Sequence, residues 1–161
     1  MTSIDPLQDT SAAARQSPEA EREFSRGMAK LAGGDVLGAM VHFEKATAIG
    51  AEPACLSFLG YCIAKERGQA KKGLAFCQKA LAAEPDNPVH SLNMARIHLV
   101  TGDKPAALAA LRSGAAHGQH QEIAALLDSV GTRKPPIFSF LHRNHPLNKY
   151  LGKILRRLGL R

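Results

Sequence analysis

The residues of this chain that could do chemistry are its histidines, its cysteines and one glycine pair, and their spacing sets what each could do. His117, His120 and Glu122 lie close enough to bring ligands to one helical face, as do His142 and His145. A zinc site needs a full donor set, however, and the chain has neither a His-Glu-x-x-His run nor a paired cysteine motif to complete one. Surface histidines are the ordinary reading of both groups. Cys62 could serve as a nucleophile only as a thiolate, and no adjacent cationic pair or helix N-terminus is placed to lower its pKa. Gly33-Gly34 could begin a phosphate cradle if a strand led into it, and no strand pattern does. No catalytic residue, metal ligand or cofactor-binding residue is assigned, and no cofactor is expected. The chain reads as a binding protein and not as an enzyme.

Charge adds a second constraint. Up to Gly131, thirteen Lys and Arg face fourteen Asp and Glu, a net of −1; from Thr132 to Arg161 there are eight basic residues and no acidic one, a net of +8. The overall charge of +7 therefore belongs to the tail. A basic run of this kind is usually a solvated face, and no RNA- or DNA-binding module accompanies it, so nucleic acid is not the expected partner. Cys55, Cys62 and Cys77 are odd in number and sit within helical patterns, which argues against a secreted disulfide framework and for reduced packing residues. The first twenty residues carry Asp5 and Asp9 and lack the order of a signal peptide. No stretch approaches the about 18 consecutive apolar residues of a membrane span. The expected location is the cytoplasm, with a peripheral position on the inner face of a membrane as the alternative.

The elements that must position any site are set by an internal repeat. Gly34, Gly68 and Gly102 are 34 residues apart, and the same interval relates Ala39, Gly73 and Ala107, and then Ala46, Ala80 and Gly114. Larger positions keep the register: Phe24, Phe58 and Leu92; Met40, Leu74 and Leu108; Phe43, Cys77 and Leu111. Ala and Leu are abundant and Trp is absent, as suits helices. Asn87-Pro88 and Asp103 with Pro105 are helix starts, and the Gly33-Gly34 and Gly102 turns are expected to supply positive φ at helix ends. The pattern predicts helices over residues 20–32, 36–49, 54–66, 70–83, 88–101 and 105–117, with a seventh over 119–130 carrying Ile123, Leu126 and Leu127.

A 34-residue unit with small residues where two helices cross resembles the tetratricopeptide repeat. The third unit carries the resemblance best, with Met94 and Ala95 in the Leu-Gly place, Gly102 and Asp103 in the turn, and Ala107, Leu111 and Gly114 on the second helix. It implies an all-α, right-handed solenoid of three helical hairpins with a capping helix, followed by a C-terminal amphipathic helix. The expected organisation is a disordered tail over 1–19, the repeat domain with its cap over 20–130, a proline-containing linker over 131–145 and a basic amphipathic helix over 146–161. Two departures stand out. Glu23, Arg26 and Lys30 occupy places usually apolar in the first helix, which suits an outermost helix with no preceding repeat to pack against. In the second unit Gly60 lies one residue early and Gln69 replaces the turn Asp.

The resemblance also implies a concave face, lined by the first helix of each pair, that binds a protein or peptide client. Its places read Phe24, Met28 and Leu31 in the first unit; Phe58, Cys62 and Lys65 in the second; and Val89, Leu92, Arg96 and Leu99 in the third. Most are apolar, with Lys65 and Arg96 able to select acidic or polar groups at the rim. The five places at which one subgroup of the family clamps chaperone C-termini with Lys, Asn and Arg here read Phe24, Met28, Leu59, Val89 and Asn93, so that clamp is missing. In size, repeat number and groove character the chain is similar instead to small type III secretion chaperones. The groove is either open to a client or filled by the chain's own tail.

In that tail Leu147, Tyr150, Leu151, Ile154, Leu155 and Leu158 form one apolar stripe opposite Lys149, Lys153, Arg156 and Arg157. Three burial sites are open to it: the solenoid, an anionic membrane surface and a partner. Lys149, Tyr150, Lys153, Ile154, Arg156 and Arg157 are the residues that would meet a membrane or partner.

Overall fold

The computed structural model describes residues 17–131 together with 150, 151, 154 and 157. The tail over 1–19 and the linker over 131–145 lie almost wholly outside the described residues, as do Lys149, Lys153 and Arg156 of the basic helix. The four described positions of that helix are all helical. Seven helices occupy 17–131: α1 (Pro18–Ala32), α2 (Val36–Ala48), α3 (Pro53–Arg67), α4 (Ala70–Ala83), α5 (Pro88–Val100), α6 (Lys104–Ala116) and α7 (Gln121–Gly131). Helices α1 and α2, α3 and α4, and α5 and α6 pack as hairpins; α3 touches both α2 and α5, and α7 lies on α6. The result is a helical-hairpin solenoid with a terminal cap.

Local chemistry starts and stops these helices where the repeat requires. Asp35 and Asp103, one repeat interval doubled, cap their helices by accepting from the backbone N–H of Gly38 at 2.8 Å and of Ala106 at 3.1 Å. At the intervening place Gln69 makes no side-chain cap. Asn87 accepts from Val89 N–H at 3.1 Å, with Pro88 in the first turn. Of the expected glycine turns, Gly34 and Gly102 take φ of 80° and 78°. Gly33, by contrast, stays at φ −77° and closes α1, so a single residue makes that turn.

Packing explains the small residues. Ala39, Ala46, Ala80 and Ala107 are fully buried. The early glycine of the second unit has a specific partner: a Cβ added to Gly60 would stand 2.5 Å from the carbonyl oxygen of Gly73. Backbone therefore meets backbone where α3 crosses α4. In the first unit Gly27 performs the equivalent service, since a Cβ there would reach 2.5 Å from the Phe43 ring. Phe24, Phe43 and Phe58, from α1, α2 and α3, form a cluster with centroids 5.6 to 5.9 Å apart, which joins the first hairpin to the second.

The expectation that Glu23 sits on a bare outer face is corrected. Glu23 is buried and turned towards α2, accepting from Arg26 at 2.5 Å and pairing with His42 Nδ1 at 2.8 Å. The His42 hydrogen bond, with help from Arg26, holds its carboxyl below the usual range. A buried carboxylate is tolerated because two partners compensate its lost hydration. Arg26 and Lys30 remain exposed.

Replacing Gly60 by Ala should reveal the sign of this packing. Helix propensity alone favours Ala by about 1 kcal/mol. Crowding against the Gly73 carbonyl should instead make Gly60→Ala less stable than the parent by about 1–3 kcal/mol in urea unfolding. A stability gain would show that the crossing has room to spare.

Candidate functional site

The first helices of the three pairs and the start of α7 surround a cavity of about 460 Å³. It is lined by Met28, Leu31 and Ala32 of α1, Phe58 of α3, Val89, Leu92 and Arg96 of α5, and His120 and Glu122 at the start of α7. Six of the ten groove residues expected from the sequence thus meet in one place. Their accessibility differs. Met28 is 36% exposed and Leu31 and Val89 are half-buried, whereas Phe58 at 8% and Leu92 at 2% show only an edge. A core role and a lining role coincide in the last two.

The remaining four lie elsewhere. Phe24 borders a separate recess with Ala20, Glu21 and Ser25, and packs its ring on Phe43 and Phe58. Leu99 is half-buried near the end of α5. Lys65 is exposed, with its ammonium 5.8 Å from the centre of the Tyr61 ring. Cys62 corrects the expected groove most plainly: it is fully buried and packs among Phe58, Leu59 and Ile63, so nothing in the groove can touch it.

Beneath the apolar surface runs a polar chain. Asn93 is fully buried and donates through Nδ2 to Ser57 Oγ at 3.0 Å, while its Oδ1 accepts from Arg96 at 2.8 Å. Ser57 in turn donates to the Ala54 carbonyl. Arg96 lies 5.4 Å over the Tyr61 ring and donates its other nitrogen to Glu122. Asn93 occupies one of the five clamp places, and its amide is spent inside the protein. A buried chain with every partner made fixes side-chain positions tightly, because breaking one link strands the next.

Several of these residues were invisible as groove components. Tyr61 had a signal, since Gly27 and Ala95 stand at the equivalent places and a large ring there must go somewhere. Ser57 gave none, and Asn93 stood out only as one place of the clamp that the chain lacks. His120 and Glu122 attracted notice only as metal ligands. Among the described residues no three His, Cys, Asp or Glu side chains gather in a way that could hold a metal ion. Glu122 instead meets Arg96, and His117 lies 3.3 Å from the Asp86 carboxylate.

At the C-terminus Tyr150 is 65% and Ile154 51% exposed, Arg157 is exposed and Leu151 is half-buried. Among the described residues no helix is long and apolar enough to cross a membrane.

Comparison with known proteins agrees with this geometry. Residues 64–129 match the sequence model of the tetratricopeptide repeat. The crystal structure of the Sgt2 TPR domain from Aspergillus fumigatus is similar in fold, with a TM-score of 0.59 over 83% of this chain and 95% of that one, at 18% identity. Among curated proteins none matches.

The cysteines carry a direct test. Burial, reinforced by the nearby Glu66 charge, pushes the Cys62 thiol up to about 12, and burial does the same for Cys77. Burial also raises Cys55. All three are free thiols. Ellman's reagent should therefore leave the native chain unmodified and label three thiols once urea unfolds it. Prompt labelling of the native chain would place a thiol at the surface.

Proposed function

We propose that this chain, a tetratricopeptide repeat protein, is a chaperone-like scaffold that holds a peptide or helix of a client protein in the cavity between α1, α3 and α5. The observation that carries the reading is the cavity wall itself. Met28, Leu31 and Val89 expose apolar surface around it, and the buried polar chain through Asn93 fixes one charged group, Arg96, at its edge. An apolar recess with a few fixed polar groups is the usual form of a binding site. Helix-in-groove recognition requires just such a trough, with anchors spaced along one face of the ligand. Arg96 at the cavity's edge, and Lys65 outside the cavity but near the same Tyr61 ring, bias the approach towards acidic or polar client groups.

The test uses residues that are accessible. Phe58 and Leu92 are too deep to alter without endangering the fold, whereas Met28 and Val89 reach the surface. A pull-down from the native cell extract with the parent chain should recover a client that Met28→Glu and Val89→Glu each lose by about tenfold or more, since a charge in an apolar pocket costs at least about 1.4 kcal/mol. Folded variants that recover the same client in full would show that binding lies elsewhere.

A second reading is supported by the exposure of Tyr150 and Ile154, one turn apart on a segment with no acidic residue. In it the C-terminal helix attaches the scaffold to an anionic membrane surface, each basic residue adding about 1 kcal/mol near the headgroups. The full chain should then sediment with phosphatidylserine vesicles and much less with phosphatidylcholine vesicles, and Tyr150→Asp with Ile154→Asp should abolish the difference. Equal sedimentation of parent and variant would remove the membrane from the account.

A further inference from the structure

We infer that the groove selects client segments in which a carboxylate neighbours large apolar side chains, and that Glu122 is the chain's own stand-in for that carboxylate, making its side chain a latch the client displaces while α7 stays in place. This rests on the groove reading above and adds to it a ligand class and a means of regulation.

Arg96 is held in place from two directions. One edge of its guanidinium is committed to the buried Asn93, and its face lies over Tyr61, so the group cannot swing freely. Its other nitrogen donates to Glu122, and both residues line the cavity. A guanidinium held at one edge offers a fixed pair of N–H groups suited to a carboxylate, and the site is built for that shape whether the carboxylate is internal or foreign.

Glu122 is poorly placed to be permanent. It is about half exposed, and pairs with an exposed member contribute little to stability, so exchange for another carboxylate is inexpensive. It is also the one acidic residue among the described residues that line the cavity. Removed or turned away, it leaves Arg96 facing a recess walled by Met28, Leu31 and Val89, with the Lys65 ammonium on the same Tyr61 ring. The complement of that surface is an acidic side chain flanked by apolar ones.

The rest of α7 does not depend on this contact. Ile123 is buried against Leu92, Ala95 and Leu111 and fits close to Gly114, where an added Cβ would lie 2.8 Å from its Cδ1. Leu126 and Leu127 pack on the same cluster. Glu122 can therefore release Arg96 while the cap stays docked. The apparent affinity of a client is lowered by the fraction of molecules in which the latch is closed.

A random phage-displayed peptide library, selected on the full chain, supplies the probes. Each selected peptide is then made twice for fluorescence anisotropy, once as selected and once with its Asp and Glu changed to Asn and Gln. Acidic peptides should dominate, and Glu122→Gln should tighten them by about threefold to tenfold while leaving their amide versions unchanged. Arg96→Gln should weaken the acidic peptides towards the amide level, with circular dichroism checking that each variant is folded. Amide versions that bind as well as acidic ones, or a gain from Glu122→Gln shared equally by both, would overturn the latch while leaving the groove in place. If Met28→Glu affects neither kind of peptide, or if selection yields no binder, the groove reading itself fails.

Discussion

Every feature of this molecule depends on how closely two helices can approach. Packed helices lie about 8–10 Å apart, and the short end of that range is open only where the facing residues are slight. Gly60 against the Gly73 carbonyl and Gly27 against the Phe43 ring are the tightest expressions of that limit. Ala39 and Ala107 relax it by one methyl group each. Because the crossings recur every 34 residues, successive hairpins present their first helices on one side, and the cavity between α1, α3 and α5 follows from stacking without a dedicated pocket motif.

Much of this was legible in the sequence because close packing leaves a compositional trace at a fixed interval. The seven helices fall within about two residues of their expected limits, the usual uncertainty of helix ends. Gly60, one residue early, looked like a flaw in the repeat; it is the partner of Gly73 and keeps the second hairpin tight while Tyr61 stands where the other units have Gly27 and Ala95 and lies beside Arg96. The groove was less legible. Periodicity assigns a residue to a face but not to a depth, so Cys62 and Met28 looked alike although one is fully buried and the other is not. Contacts between distant segments, such as Ser57 with Asn93 and Arg96 with Glu122, carry no period and left no trace.

Charge is partitioned with equal economy. The repeats are close to neutral, and some of their acids and bases meet in pairs, as Arg26 with Glu23, Lys30 with Asp35 and Arg67 with Glu44. The uncompensated charge lies beyond Gly131. Long-range electrostatic attraction would therefore act through the tail, and short-range recognition through the groove, where a single fixed guanidinium is felt over only about a Debye length of 8–10 Å.

The three phenylalanines that join α1, α2 and α3 have one more consequence. In a linear stack each unit is stabilised by its neighbours, and an end unit has only one. Here the terminal hairpin's largest side chains are shared across its single boundary, with Phe58 contributed from the far side. That arrangement ties the melting of the leading hairpin to the second one, so these two should unfold together and not fray one hairpin at a time.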